Sequence, residues 1–111
     1  MTDRSTLSDE VHELHADLCS ALADPKRLLM LYILSEGGMN VTDLANQAGI
    51  SQPAASRHLK ILRERGLVQS SRQGASVAYR LTDMRLIEAL DILRSVLRDR
   101  IAYRASLMES K

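Results

Sequence analysis

The stretch of residues 51–66 constrains the fold of this chain more than any other part of its sequence. Ser51 is a favourable N-cap, Pro53 is tolerated in a first helical turn, and Gly66 can adopt the left-handed conformation that ends a helix. Between these signals, three apolar residues recur with the i, i+4, i+7 spacing of one helical face: Ala55, Leu59 and Leu62. The stretch therefore predicts an amphipathic helix with both ends marked.

The opposite face of this predicted helix is polar and cationic, with no acidic residue before Glu64. Its side chains are Gln52, Ser56, Arg57, Lys60 and Arg63. Amides, hydroxyls and guanidinium groups are the groups that read base edges and bind phosphates in the major groove of DNA. We therefore interpret this helix as a recognition helix.

The residues before this helix complete a known motif. Residues 42–49 read as a short helix with Thr42 as its N-cap, and Gly49-Ile50 makes a tight turn into Ser51. Two short helices joined by a turn that contains glycine form a helix-turn-helix unit. The unit is predicted over residues 42–66.

A hairpin is predicted directly after the helix-turn-helix. Residues 67–72 and 76–81 read as two strands around Gln73-Gly74-Ala75, because a loop of a few residues with glycine is a hairpin signal. A helix-turn-helix followed by a hairpin is a winged helix, with the wing over residues 67–81.

Two helices are expected before the motif. The first is predicted over residues 7–22, with Ser8 as its N-cap and residues 1–6 frayed. Asp24 followed by Pro25 begins the second, which should run to Glu36 and stop at the glycines that follow. The centre of this second helix, residues 28–34, is apolar on nearly all sides and should form the buried spine of the domain.

A last helix is predicted over residues 83–105, capped by Thr82 or Asp83. The first and last helices each carry an apolar stripe with 4-3-4 spacing, which suggests a two-fold dimer formed by these two helices. The interface would contain Leu7, Val11, Leu14 and Leu18 of the first helix and Leu86, Leu90, Leu93 and Leu97 of the last. Alternatively, both stripes pack within one subunit.

Charge is distributed unevenly along the chain. The net charge is +1, but residues 1–50 carry three basic and eight acidic side chains, and residues 51–80 carry six basic and one acidic. The positive charge therefore lies on the predicted recognition helix and wing, as DNA binding requires. The alternative is that this run of charge is a solvated face with no partner.

Composition limits the other classes. At 111 residues without Trp or Phe, we expect one domain over residues 1–111 with an aliphatic core. The longest apolar run is too short to cross a membrane, and the single cysteine and the lack of a signal pattern favour the cytoplasm. No nucleophile elbow, phosphate loop or metalloprotease motif indicates an enzyme. The prediction is a mainly α-helical chain with a small β-hairpin, about five helices plus the wing.

Five segments of the sequence resemble the ArsR/SmtB family of bacterial transcriptional repressors. They are Asp24-Pro25-Lys26-Arg27-Leu28, Thr42-Asp43-Leu44-Ala45, Ser51-Gln52-Pro53, Ser56-Arg57-His58-Leu59-Lys60-Ile61-Leu62 and Gly66-Leu67-Val68. The resemblance covers roughly residues 10–105 and implies a homodimeric repressor of a palindromic DNA operator, released by an unidentified signal. The alternative from another class is a winged-helix module that binds a protein partner.

Each predicted DNA-binding residue has an expected role. Arg57, Lys60, Arg63 and Arg72 would neutralise phosphates, and Gln52, Ser56 and Arg57 would reach base edges. Arg72 and Gln73 would bring the wing to the minor groove, and His58 would lie at the helix edge near a phosphate. Thr42 and Ser51 complete the predicted DNA-binding set.

No cofactor is expected at the metal sites known in the family. Asn40 and Thr42 stand where one family site has thiolates. Asp83 and Asp99 match the carboxylates of a second site, but Arg85 and Val96 replace its imidazoles. His12, His15 and Cys19, at i, i+3, i+7, remain as a candidate site for zinc or another soft metal. The alternatives are a partly exposed histidine pair beside a buried cysteine, and redox sensing through Cys19.

Overall fold

The computed structural model describes residues 3–109. Its elements are α1 (Arg4–Glu13), a π-helical segment (Leu14–Cys19), α2 (Ser20–Leu22), α3 (Pro25–Ser35), α4 (Val41–Ala48), α5 (Gln52–Glu64), β1 (Val68–Gln73), β2 (Ser76–Leu81) and α6 (Arg85–Glu109). We call α1, the π-helical segment and α2 together the first helix. The architecture is a winged helix-turn-helix, as the sequence predicts.

Helix α3 lies at the centre of the domain, in contact with α2, α4, α5, α6 and β2. Its residues Met30, Leu31 and Leu34 are buried. Leu29 is 41% exposed, so only the inner side of this helix forms the core and the prediction that it is buried on nearly all sides is wrong there. The buried side chains of the core are Ala, Val, Leu, Ile and Met residues, contributed by α2, α3, α4, α5, α6 and the start of the wing.

The wing is an antiparallel hairpin in which Val68 pairs with Leu81 and Gln73 pairs with Ser76. Its turn is Gly74-Ala75, with Gly74 at a φ of 65°. The first strand therefore begins and ends one residue later than predicted. Met39 forms an isolated bridge with Tyr79, which ties the connection after α3 to the wing as a short strand edge.

Two helix starts differ from the prediction. The first helix begins at Arg4, because the Asp3 carboxylate accepts from the Thr6 amide (2.9 Å), so Ser8 lies inside the helix. Met1 and Thr2 lie outside the described residues. Helix α4 begins at Val41, because the Asn40 side chain accepts from the Asp43 amide (2.8 Å). Asn40 is a better N-cap than Thr42, which is left in the first helical turn.

The first and last helices also depart from the predicted regular pattern. The first helix contains the π-helical segment, in which each turn holds more residues than in an α-helix. Helix α6 continues to Glu109, four residues past the predicted end at Ala105. Its start is held by Asp83, whose Oδ1 accepts from the Arg85 amide (2.9 Å).

Much of the apolar surface of these two helices faces solvent in the single chain. Exposed apolar side chains include Leu7, Val11, Leu14, Leu93, Val96, Leu97 and Ile101. Leu90, by contrast, is buried in the core of its own chain, and Leu86 and Leu18 pack against that core. Among residues 3–109, no helix combines the length and the apolar composition needed to span a bilayer.

Candidate nucleic-acid interface

Helix α5 is fixed at both ends by local chemistry. Ser51 Oγ accepts from the Ala54 amide (3.2 Å). At the other end Gly66 adopts a φ of 77°, which lets the Leu67 amide donate to the Leu62 carbonyl (2.9 Å). The predicted stripe of Ala55, Leu59 and Leu62 is fully buried. The helix is therefore held by its inner stripe, and its other face is free to meet a ligand.

That outer face carries the predicted DNA-binding side chains. All five are exposed: Gln52, Ser56, Arg57, Lys60 and Arg63. The Arg63 guanidinium lies 3.5 Å from Ser70 Oγ on β1, so the end of the recognition helix and the base of the wing meet on the same side of the molecule. Amide, hydroxyl and cationic groups are thus exposed together on one face of the helix, and groups of these kinds read base edges and bind phosphates in the major groove.

The turn of the helix-turn-helix sets the angle between α4 and α5. Gly49 adopts a φ of 69°, and the Ile50 amide donates to the Ala45 carbonyl (3.0 Å). Lys26 Nζ donates to the Ala48 carbonyl (3.1 Å) and so satisfies one of the last carbonyls of α4. At the start of α5, Thr42 Oγ1 lies 3.4 Å from Gln52 Oε1, which places Thr42 at the edge of the recognition face.

The tip of the wing presents Arg72 and Gln73, both exposed. Farther from the tip, Arg80 donates to the Gln69 side chain (3.1 Å) across the two strands. Arg80 and Gln69 therefore bind each other, and Arg72 and Gln73 are the pair left at the tip of the wing.

His58 is placed differently from the other predicted DNA-binding residues. It is half-buried, and its Nδ1 lies 3.3 Å from the Arg27 guanidinium on α3. Two arginines outside the predicted site, Arg27 and Arg65, donate hydrogen bonds to the first helix nearby. Arg27 Nε donates to the Ala21 carbonyl (2.6 Å), and Arg65 donates to the Ala16 carbonyl and to Ser20 Oγ.

Helical spacing could have identified these two arginines. Arg27 lies four residues before Leu31 and seven before Leu34, and Arg65 lies three residues after Leu62. Arg27 therefore lies on the inner side of α3, whereas Arg65 follows α5 on the side of Leu62 and its side chain is exposed. Arg65 is one of the six basic residues of 51–80, but its guanidinium is bound to the first helix and does not add to the outer face of α5.

A separate cluster connects α3 to α6. The Tyr32 hydroxyl donates to Asp91 Oδ1 (2.8 Å), and the Arg94 guanidinium lies 5.1 Å from the centre of the Tyr32 ring. Burial, followed by the Asp91 carboxylate, raises the pKa of Tyr32 above its ordinary value. The hydroxyl therefore stays protonated and keeps donating, which holds the central helix to the last helix.

The second metal site known in the family is replaced by an ion pair here. Arg85 donates to both oxygens of Asp83, with its Nη2 at 2.7 Å from Oδ2. This hydrogen-bonded guanidinium lowers the pKa of Asp83 to about 2. Asp83 therefore acts as a helix cap and ion-pair partner, and a cationic side chain occupies the space next to its carboxylate.

The candidate metal residues of the first helix are not brought together. His12 Nδ1 lies 2.7 Å from the Ser8 carbonyl, and Cys19 is exposed, so the expectation of a buried cysteine is wrong. Residues at i, i+3, i+7 share one face only in an α-helix, whereas His15 and Cys19 lie in the π-helical segment. Among residues 3–109 no three His, Cys, Asp or Glu side chains form a group that could hold a metal ion.

Comparison with known proteins agrees with this geometry. The model of the family described as "Bacterial regulatory protein, arsR family" matches residues 24–70. The biofilm growth-associated repressor of Xylella fastidiosa is 36% identical over 81 residues, which cover 73% of this chain and 71% of the relative. The regulator NmtR of Mycobacterium tuberculosis is 43% identical over 76 residues, and that match spans 68% of this chain and 63% of NmtR.

Solved structures show the same fold. NolR from Sinorhizobium fredii superimposes with a TM-score of 0.73 at 36% identity, covering 86% of this chain and 96% of NolR. A protein from Mycobacterium bovis, described as a homodimeric winged helix-turn-helix DNA-binding domain and a possible ArsR-family regulator, gives a TM-score of 0.71 at 27% identity and 93% coverage of both chains. The chain therefore belongs to the ArsR family of bacterial regulatory proteins: it is a winged helix-turn-helix, DNA-binding transcriptional regulator, and not an enzyme.

Proposed function

We propose that the protein is a homodimeric repressor that binds a palindromic operator and leaves it when a signal arrives. The observation that carries the proposal is the outer face of α5, which exposes a glutamine, a serine and three basic side chains while its inner stripe is fully buried. Such a face combines base-reading groups with phosphate-binding groups on one rigid element.

The exposed apolar faces of the first and last helices support the dimer. Leu93 is 62% exposed and Leu97 is 54% exposed, and Leu7, Val11 and Leu14 are exposed on the first helix. A contiguous apolar surface of this kind marks an interface in a small protein. A two-fold dimer would present two α5 helices to half-sites about one helical turn of DNA apart, which is the reason to expect a palindrome.

Two further points support the choice of a repressor in the cytoplasm. Several relatives are named as repressors, among them the biofilm growth-associated repressor of Xylella fastidiosa. Bacterial DNA lies in the cytoplasm, so a protein that binds an operator acts there. The winged-helix module for protein partners is less well supported, because the exposed face is cationic and protein interfaces are poor in charge at their centres.

The signal is proposed to act without either metal site known in the family. The stretch Asn40-Val41-Thr42 offers no thiolate, and Arg85 binds the Asp83 carboxylate. Zinc prefers sulfur and nitrogen ligands, and neither site provides them. We therefore propose that the protein needs no resident metal or other cofactor to bind its operator.

A selection and a salt titration test the proposed function. Wild-type protein would select duplexes from a random-sequence pool, and the affinity for the selected duplex would then be measured against salt. Four cations per chain, Arg57, Lys60, Arg63 and Arg72, give eight phosphate contacts in a dimer and a slope of log K against log salt of roughly −7. A consensus with two inverted half-sites is expected. No enriched sequence and no salt dependence would contradict the proposal.

A further inference from the structure

Arg65 stands just after α5, but its side chain is bound to the first helix. Its guanidinium donates to the carbonyl of Ala16 and, over 3.0 Å, to Ser20 Oγ. These residues are 49 and 45 positions away in the sequence. The same side chain lines a groove with three carboxylates of the first helix, Glu10, Glu13 and Asp17. Arg65 is therefore held on the acidic side of the molecule and not on the cationic face of α5.

The carbonyl that Arg65 binds is made available by the π-helical segment. The Ser20 amide donates to the His15 carbonyl, five residues back, whereas in an α-helix it would donate to Ala16, four residues back. The Ala16 carbonyl instead accepts from Ser20 Oγ (2.5 Å) and from Arg65. The wider π turn thus creates the acceptor site for a side chain from the recognition half.

A second arginine connects the first helix to the middle of α5. Arg27 donates through Nε to the Ala21 carbonyl (2.6 Å), and its terminal nitrogen lies 3.3 Å from Nδ1 of His58. A guanidinium has donors only, so the Nδ1 of His58 accepts. The end of the first helix is therefore linked to α5 at two points, near its centre and near its C-terminus.

We propose that Arg65 is a positioning residue for operator binding, which orients α5 through the π-helical segment and contacts no phosphate itself. The inference rests on the proposed function, because α5 must be the helix that reads the operator. The first helix also carries exposed apolar residues assigned to the dimer interface, Leu7, Val11 and Leu14. A change in dimer packing that alters the π turn would therefore change the orientation of α5, because Arg65 bonds the end of α5 to the first helix.

One test measures the link in the free protein. Hydrogen–deuterium exchange would be followed in peptides covering residues 14–22 and 52–64 of the wild type and of Arg65→Gln. If Arg65 holds the two elements together, exchange becomes faster in both peptides of the variant and stays unchanged in the wing. Exchange that is the same in both proteins would overturn the inference, whether or not the protein binds an operator.

A second test measures the consequence for DNA. The probe is the duplex that wild-type protein selects from a random pool, and Lys60→Gln is the matched control that removes one positive charge from the outer face. Arg65→Gln is expected to raise the dissociation constant by about 2- to 30-fold, the range of coupling seen for side chains outside a binding site. Its salt slope should equal that of the wild type, whereas Lys60→Gln should make the slope shallower.

The double mutant separates positioning from a phosphate contact. Ser20→Ala removes one acceptor of Arg65 without altering α5. If Arg65 acts through the first helix, Ser20→Ala also weakens operator binding, and the effects of Ser20→Ala and Arg65→Gln are less than additive. Fully additive effects would show that Arg65 does not act through Ser20. A shallower salt slope for Arg65→Gln would show that Arg65 binds the phosphate backbone. Either result would overturn the inference.

Discussion

At the scale of single residues, side chains on the same exposed face of α5 should contribute in different ways. Gln52 and Arg57 stand where base edges are expected, and Lys60 lies farther along the helix with a compact charge suited to phosphate. A base contact discriminates between sequences, while a phosphate contact does not. The two kinds of contact can therefore be told apart by comparing specific and random DNA.

Gln52→Ala and Arg57→Ala should each weaken binding to the selected operator by about 1–3 kcal/mol and have a smaller effect on random DNA. Lys60→Ala should weaken binding to both DNAs about equally and reduce the salt slope by about 1 for each phosphate that the variant leaves unneutralised. The measurement is a titration of both duplexes at several salt concentrations. If the three variants behaved alike on both DNAs, the assignment of the recognition face would be wrong.

Cys19 carries the chain's single thiol and is exposed. Zinc, nickel, cadmium and arsenite should not release the wild-type protein from DNA, because both sites known in the family lack their nitrogen or sulfur ligands. If a soft metal or an oxidant does release it, Cys19→Ser should abolish that response and leave operator affinity unchanged. If the Cys19→Ser protein still responds, His12 or His15 is the group that binds the metal or reacts. Tight zinc binding that releases the wild-type protein from DNA would contradict the expectation that metals have no effect.

At the scale of elements, helix starts and ends fix where the functional surfaces lie. The turn at Gly49 and the cap at Ser51 set the orientation of α5, and Asp83 caps the start of α6 just after the wing. Asp83 combines two roles, since it accepts the Arg85 amide and both of its oxygens accept from the Arg85 side chain. The start of α6 should consequently depend on the charge of one carboxylate.

The depressed pKa of Asp83 gives a pH prediction. The pKa falls from 3.8 in the unfolded chain to about 2 in the fold, chiefly because of the Arg85 side chain. A lowered carboxyl pKa contributes stability that is present above the unfolded value and is lost as pH falls through the folded value. This contribution should therefore disappear between about pH 4 and pH 2.

Carboxyl carbon NMR shifts of Asp83 against pH would measure this pKa. Arg85→Gln is the matched variant, because it removes the largest cause of the shift and retains the backbone amide that Asp83 caps. It should move the pKa of Asp83 up towards its ordinary value. An Asp83 resonance that already titrates near pH 4 in the wild type would rule out the ion pair in solution.

At the scale of the whole molecule, the first and last helices offer a surface that the single chain does not cover. The apolar stripe of α6 has two parts with different surroundings. Leu90 is buried in the core of its own chain, while Leu93 and Leu97 are exposed. Only the second part is available to a partner, so a test of the dimer has to leave Leu90 intact.

The variant with both Leu93→Glu and Leu97→Glu should be monomeric and remain folded. In a dimer each carboxylate would be buried at a cost of several kcal/mol, about 3–5 kcal/mol if unpaired, whereas in the monomer both stay in water. Sedimentation gives the mass and circular dichroism the helix content, with Arg98→Glu as a control that changes charge away from the apolar stripe. A folded double variant that still sediments as a dimer would place the interface elsewhere.

The sequence by itself determined the features that depend on neighbouring residues. Caps at Ser51 and Asp24, the turn at Gly49 and the helix end at Gly66 follow from backbone hydrogen bonds within a few positions. The buried stripe of α5 follows from helical periodicity. These local rules were enough to predict a winged helix and its cationic face, although they chose Thr42 where Asn40 caps α4, since two good N-caps lay close together.

Tertiary structure alone decided which side chains meet across the fold. Arg27 meets His58 across 31 positions because α3 packs on α5, and Arg65 meets Ala16 across 49 because the first helix lies against the end of α5. The packing of α6 on α3 likewise divides the α6 stripe into a buried Leu90 and an exposed Leu93. Periodicity identifies the apolar face of a helix. Whether that face packs against its own chain or is left for a partner depends on where the other helices lie in the folded chain.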